Sequence, residues 1–127
     1  MKTLSPLALL ASLIALLGTA GMDLHAAEVG KLAPDFTLQT HDGKSLTLSK
    51  LTGKRGAVLV FFATWCPACM TEVPEVKKLA AASKDKDVLV YGVNVQQQKK
   101  IVDAFAKDKA INYRVLLDSK GTVAADY

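Results

Sequence analysis

Two cysteines stand three positions apart in the run Trp65-Cys66-Pro67-Ala68-Cys69, and the chain has no others. Two cysteines cannot build a disulfide scaffold, so their spacing matters more than their number. If the pair opens a helix, Cys69 falls one turn behind Cys66, close enough to close a disulfide on it. The first helical turn has N–H groups without internal partners and a partial positive charge. A thiolate at Cys66 is stabilised there, which lowers the pKa of that thiol. Cys66 would then attack a disulfide, and Cys69 would resolve the mixed disulfide. Pro67 suits the first turn, where its missing N–H costs nothing. Two other readings stand beside this one: an inert cysteine pair, or half of a zinc site. A four-ligand zinc site needs more Cys or His, and the only histidines are His25 and His41. No metal and no other cofactor is expected.

The neighbouring segments must position such a pair. Residues 57–63 form a continuous, partly β-branched apolar run, the pattern of a strand covered on both faces. At residue 66 the period changes. Cys69, Val73, Val76 and Ala80 fall on one helical stripe, predicting a helix over 66–83 with a kink at Pro74. Residues 88–95 read as a second buried strand. A second helix follows through about residue 109, then a third strand over 113–117 and a turn over 118–121. Val123 and Tyr127 begin another helical pattern. Upstream, residues 35–49 read as a hairpin around the favoured turn pair Asp42-Gly43, and 51–56 as a polar connector. Strand and helix alternate, so the expected class is α/β with a parallel core and right-handed crossovers.

The chain has 127 residues, room for one domain. Its 50% hydrophobic and 22% charged composition excludes fibrous, low-complexity and largely disordered classes. The net charge of +4 is spread along the chain, which argues against a nucleic-acid partner. Lys2 precedes an uncharged apolar stretch and then the small residues around Gly18, Ala20 and Gly21. This pattern is that of a signal peptide over 1–26; an N-terminal membrane anchor is the alternative. Either one carries residues 27–127 to a periplasmic or other extracytoplasmic compartment, where disulfides persist.

The run Phe61-Phe62-Ala63-Thr64-Trp65-Cys66-Pro67-Ala68-Cys69, with Pro74 five residues on, resembles the active-site strand and helix of thioredoxin-like proteins. The run Gly30-Lys31-Leu32-Ala33-Pro34-Asp35-Phe36-Thr37-Leu38, the hairpin after it and the strand-helix-strand stretch over 88–117 narrow the resemblance. They are similar to the TlpA/ResA/CcmG-type extracytoplasmic thiol-disulfide oxidoreductases. The resemblance implies a thioredoxin-like fold with an N-terminal β-hairpin and a central strand-helix-strand insert. It implies an enzyme that reduces disulfides of partner proteins such as apocytochrome c, recharged by a membrane thiol-disulfide electron donor. Glu72 falls where such proteins carry an acidic residue that tunes the dithiol or moves protons; the bland reading is an exposed helix glutamate. Trp65 and Pro67 would contact partners; for Trp65 the alternative is plain packing. Glu75 reads as solvated surface.

Three departures qualify the resemblance. The Pro-Ala dipeptide between the cysteines differs from that of many relatives, so their reduction potentials do not carry over. Val60 stands where thioredoxins have a buried aspartate. Relatives also continue into a cis-proline loop, a β-hairpin and a helix, whereas the prolines here are Pro6, Pro34, Pro67 and Pro74. On the resemblance, residues 27–127 are a C-terminally incomplete domain. Two competing functions remain. One is a peroxiredoxin-type (AhpC/TSA-related) thiol peroxidase, because Ala33-Pro34-Asp35-Phe36-Thr37-Leu38 also occurs there. The other is a metal-binding or copper-delivery module, which would want a histidine downstream, and none follows His41.

Overall fold

The computed structural model describes residues 26–52 and 56–127, so the expected leader lies almost wholly outside the described residues. Their elements run β1 (Thr37–Thr40), β2 (Ser45–Thr47), α1 (Leu48–Thr52), β3 (Gly56–Phe62) and α2 (Pro67–Ala82). Then follow β4 (Val88–Val95), α3 (Lys99–Asp108), β5 (Arg114–Asp118) and α4 (Thr122–Asp126). The strands form one mixed sheet in the order β2-β1-β5-β4-β3. β3, β4 and β5 are parallel, with Val60 opposite Gly92 and Gly92 opposite Val115. β1 closes on β5 antiparallel and carries the β2 hairpin. The α/β class, the parallel core and the N-terminal hairpin are as the sequence pattern predicts.

Side chains alternate across each strand, so the sheet has two apolar faces. On one face Phe62 and Val115 pack with Val73 of α2 and with Val102 and Phe105 of α3. On the other, Tyr91, Val93 and Leu116 pack with Phe36, Leu46, Leu48 and Val123. Helices α2 and α3 thus share a face, and the hairpin and α4 cover the opposite one. Gly92 lies beneath the first face, where a Cβ would stand 3.0 Å from the rings of both Phe62 and Tyr113. Its missing side chain lets these rings lie on β4. Among the described residues, no helix is long and apolar enough to cross a membrane.

Two local expectations are corrected. The stretch read as hairpin followed by polar connector contains a short helix, α1, and the hairpin strands end at Thr47. Asp35 accounts for this. Its carboxylate accepts the Ser49 N–H (2.8 Å) and the Ser49 hydroxyl (2.7 Å), while the Leu48 N–H donates to the Phe36 carbonyl (3.0 Å). Donors at the helix start therefore find partners, and Leu48 turns inward as a buried anchor. The second correction concerns β3. Its apolar run predicts burial on both faces, yet Ala57 to Phe61 are only half-buried and burial begins at Phe62. Within the described residues β3 is the sheet edge and pairs only with β4.

The Ser49 hydrogen bonds hold the Asp35 carboxyl below its ordinary pKa. A group lowered in this way stabilises the fold above its unfolded value, about 3.9, and loses that contribution as pH falls through the folded value. Asp35→Asn is therefore expected to flatten the acid limb of a stability-versus-pH curve below about pH 4. Unfolding midpoints in denaturant at stepped pH check this; parallel curves for the two proteins would count against it.

Candidate active site

The parallel strand β3 delivers the chain to the start of α2 through the turn at Ala63–Cys66, closed by the Cys66 N–H on the Ala63 carbonyl (3.1 Å). Cys66 is the N-cap of α2, with extended backbone (φ −86°, ψ 110°), and Pro67 occupies the first turn. The Cys66 Sγ accepts the Cys69 N–H at 3.3 Å. Sulfur here takes the place of the serine or aspartate oxygen that usually satisfies this donor. Cys66 and Cys69 are joined as a disulfide with their Cα atoms 5.3 Å apart. Both are half-buried, and Cys69 borders the apolar cluster beneath α2.

The surroundings divide by exposure. Trp65 is 76% exposed, and Pro67 and Ala68 also face solvent. Plain core packing is therefore not the role of Trp65. Glu72 is exposed one turn beyond Cys69. Glu75 pairs with Lys78 at 2.7 Å on the outer surface, as its solvated reading implies. On the stripe facing the sheet, Val73 and Ala80 are buried and Cys69 and Val76 half-buried. The helix runs through Pro74, which leaves the Met70 carbonyl without its usual donor. His41 lies in the β1–β2 turn, where its Nδ1 accepts the Val115 N–H (3.2 Å). Among the described residues no group of three or more His, Cys, Asp or Glu is arranged to hold a metal ion.

Three residues of the site escape a reading of cysteine spacing. The Thr64 N–H donates to Gln97 Oε1 (2.7 Å), and Gln97 Nε2 donates back to Thr64 Oγ1 (2.7 Å). Asn94 Nδ2 donates to the same Gln97 oxygen (2.8 Å). The turn before Cys66 is thus tied to the loop between β4 and α3. One signal could have found this network: Asn94 interrupts the apolar run of a buried strand, and a buried amide needs a partner.

Residues 29–127 match the AhpC/TSA family. The chain belongs to that family. It is 36% identical over 126 residues to the thioredoxin-like protein YneN of Bacillus subtilis, covering 91% of this chain and 72% of YneN. It is 37% identical over 98 residues to the thiol-disulfide oxidoreductase ResA of the same organism, covering 77% of this chain and 54% of ResA. Among solved structures it resembles a secreted disulfide oxidoreductase of Mycobacterium tuberculosis, described as homologous to Escherichia coli DsbE. The TM-score is 0.64 at 30% identity, over 72% of this chain and 66% of that one. The family member described here thus has the thioredoxin-like fold and spans about half the length of ResA.

The cap can be separated from the disulfide. Cys66→Ser and Cys66→Ala both abolish the S–S bond, but the serine hydroxyl still accepts the Cys69 N–H. Cys66→Ala is expected to be less stable than Cys66→Ser by about 0.5–2 kcal/mol, read from urea unfolding. Equal stability of the two variants would show that the sulfur does not cap α2.

Proposed function

We propose that this chain is an exported thiol-disulfide oxidoreductase that reduces disulfides in partner proteins. The observation that carries the reading is a cysteine pair closed as a disulfide across the first turn of α2, with Cys66 at the N-cap. In the reduced protein the Cys66 thiolate attacks one sulfur of a partner disulfide and expels the other as a thiolate. The Cys69 thiolate then attacks Cys66 Sγ. This forms the Cys66–Cys69 disulfide and releases the second partner thiol. Two electrons pass from the dithiol to the partner, and a membrane thiol-disulfide donor would return them. Export is supported by the apolar segment after Lys2 and by likeness to a protein described as secreted. Apocytochrome c is the partner that the family resemblance suggests. Trp65, Pro67 and Ala68, exposed around the sulfurs, supply the surface for partner contact.

The family match alone fits a thiol peroxidase equally well. A second cysteine one helical turn away favours exchange, because it gives the mixed disulfide an immediate exit.

The experiment is a trap. With Cys69→Ser the second step cannot occur, so a mixed disulfide with a model protein substrate is expected to accumulate on Cys66. Recovery of the substrate on Cys69 in the reciprocal variant, and none on Cys66, would reverse the two roles.

Glu72 is assigned to tuning. A carboxylate one turn past Cys69 disfavours thiolate formation and can pass protons. Glu72→Gln is expected to lower the pKa values of the thiols, seen as faster alkylation on the acid side of neutrality. An unchanged alkylation profile would leave Glu72 as surface.

A further inference from the structure

We propose that Gln97, held by Asn94, is the positioning residue that keeps Cys66 at the helix N-terminus once the disulfide is open. The proposal rests on the reading of Cys66 as the attacking thiol. In the oxidised protein the bond to Cys69 fixes Cys66 covalently. Reduction removes that tie. The location of the thiolate then depends on the backbone leading into it, and that backbone is held at Thr64. One side chain, 33 residues further along the chain, accepts the Thr64 N–H and donates to the Thr64 hydroxyl, each at 2.7 Å.

The fold accepts unfavourable features around this contact. Gln96 adopts a left-handed backbone (φ 54°), which is strained for a residue with a side chain. Its N–H is taken by the Asp118 carbonyl (2.9 Å), fixing the turn that brings Gln97 to Thr64. Residue 121, a glycine with positive φ (72°), packs beside the Gln96 side chain, and a Cβ there would stand 3.0 Å from it. Asn94 is fully buried and donates to Gln97, while its Oδ1 has no partner among the described residues. An unpaired buried acceptor is destabilising. Strain in the backbone and an unsatisfied amide thus converge on one bidentate contact, a pattern that points to function. In the structure described, neither Gln97 nor Asn94 is bonded to sulfur. They act through Thr64, by limiting how far the 64–66 turn can swing from the Cys69 N–H.

The test uses the reduced full chain at neutral pH. Alkylation by iodoacetamide is resolved by residue in mass spectrometry, and ultraviolet absorbance reports the thiolate. Gln97→Ala removes both bonds to Thr64. It is expected to slow labelling of Cys66 about three- to tenfold and to weaken the thiolate absorbance, leaving Cys69 labelling unchanged. Thr64→Val removes only the hydroxyl bond and should slow Cys66 less. Thr64→Ser retains both bonds and should label as the unsubstituted protein does, and so should Gln98→Ala in the same loop. Should Gln97→Ala fail to fold, the Thr64→Val and Thr64→Ser pair decides alone. Unchanged Cys66 labelling in the folded Gln97 and Thr64 variants overturns the proposal, as does equal slowing of both cysteines. Preferential labelling of Cys69 in the unsubstituted protein overturns the attacking role of Cys66 itself, and the proposal with it.

Discussion

A helix that starts at the end of a parallel strand leaves its first N–H groups without internal partners, and here the sulfur of Cys66 takes one of them from Cys69. Much of the site follows from this contact. It fixes Cys66 at the N-cap and sets Cys69 one turn behind. It also sets that sulfur at the partially positive end of α2. Pro67 reinforces the geometry by preferring helical φ where no donor is needed. On the mechanism proposed above, the capping atom is also the attacking one.

The rest of the fold holds that contact in place. β3 reaches α2 through a four-residue turn, and Phe62, the last residue of the strand, is packed beneath α2 and α3. Gly92 supplies the space on β4 for that ring. From the other side, the Asn94–Gln97–Thr64 network fixes the turn to the parallel neighbour strand. The apolar faces give bulk stability, at about 25 cal/mol per Å² of apolar area removed from water. The amide network adds direction, because hydrogen bonds specify an orientation that apolar contacts do not. Beside the half-buried cysteines in the chain, Trp65, Pro67 and Ala68 are exposed.

Much of this was legible in the sequence. A change of period at Cys66 marks the strand-to-helix junction, because burial of a strand and of a helix impose different spacings on apolar residues. The strand around Val93 and the helical stripe through Val73 and Ala80 were readable for the same reason. Other features depend on contacts between distant residues. Leu48 alternates with Leu46 as a strand residue would, and only the Asp35 carboxylate, 14 residues before Ser49, makes a helix start there. The apolar run before the cysteines reads as doubly covered, but its hydrophobicity does not say which strands stand beside it. Gln97 has no local pattern at all; its role comes from a partner 33 residues away. Asn94 alone left a trace, as a polar residue in an apolar strand.

The most direct test is a single turnover between the reduced chain and a protein disulfide, with a peroxide offered in parallel. The account predicts that substrate dithiol and the Cys66–Cys69 disulfide appear in equal amounts, and that Cys66→Ala yields neither. Consumption of peroxide with oxidation of Cys66, while the protein disulfide stays intact, would contradict it.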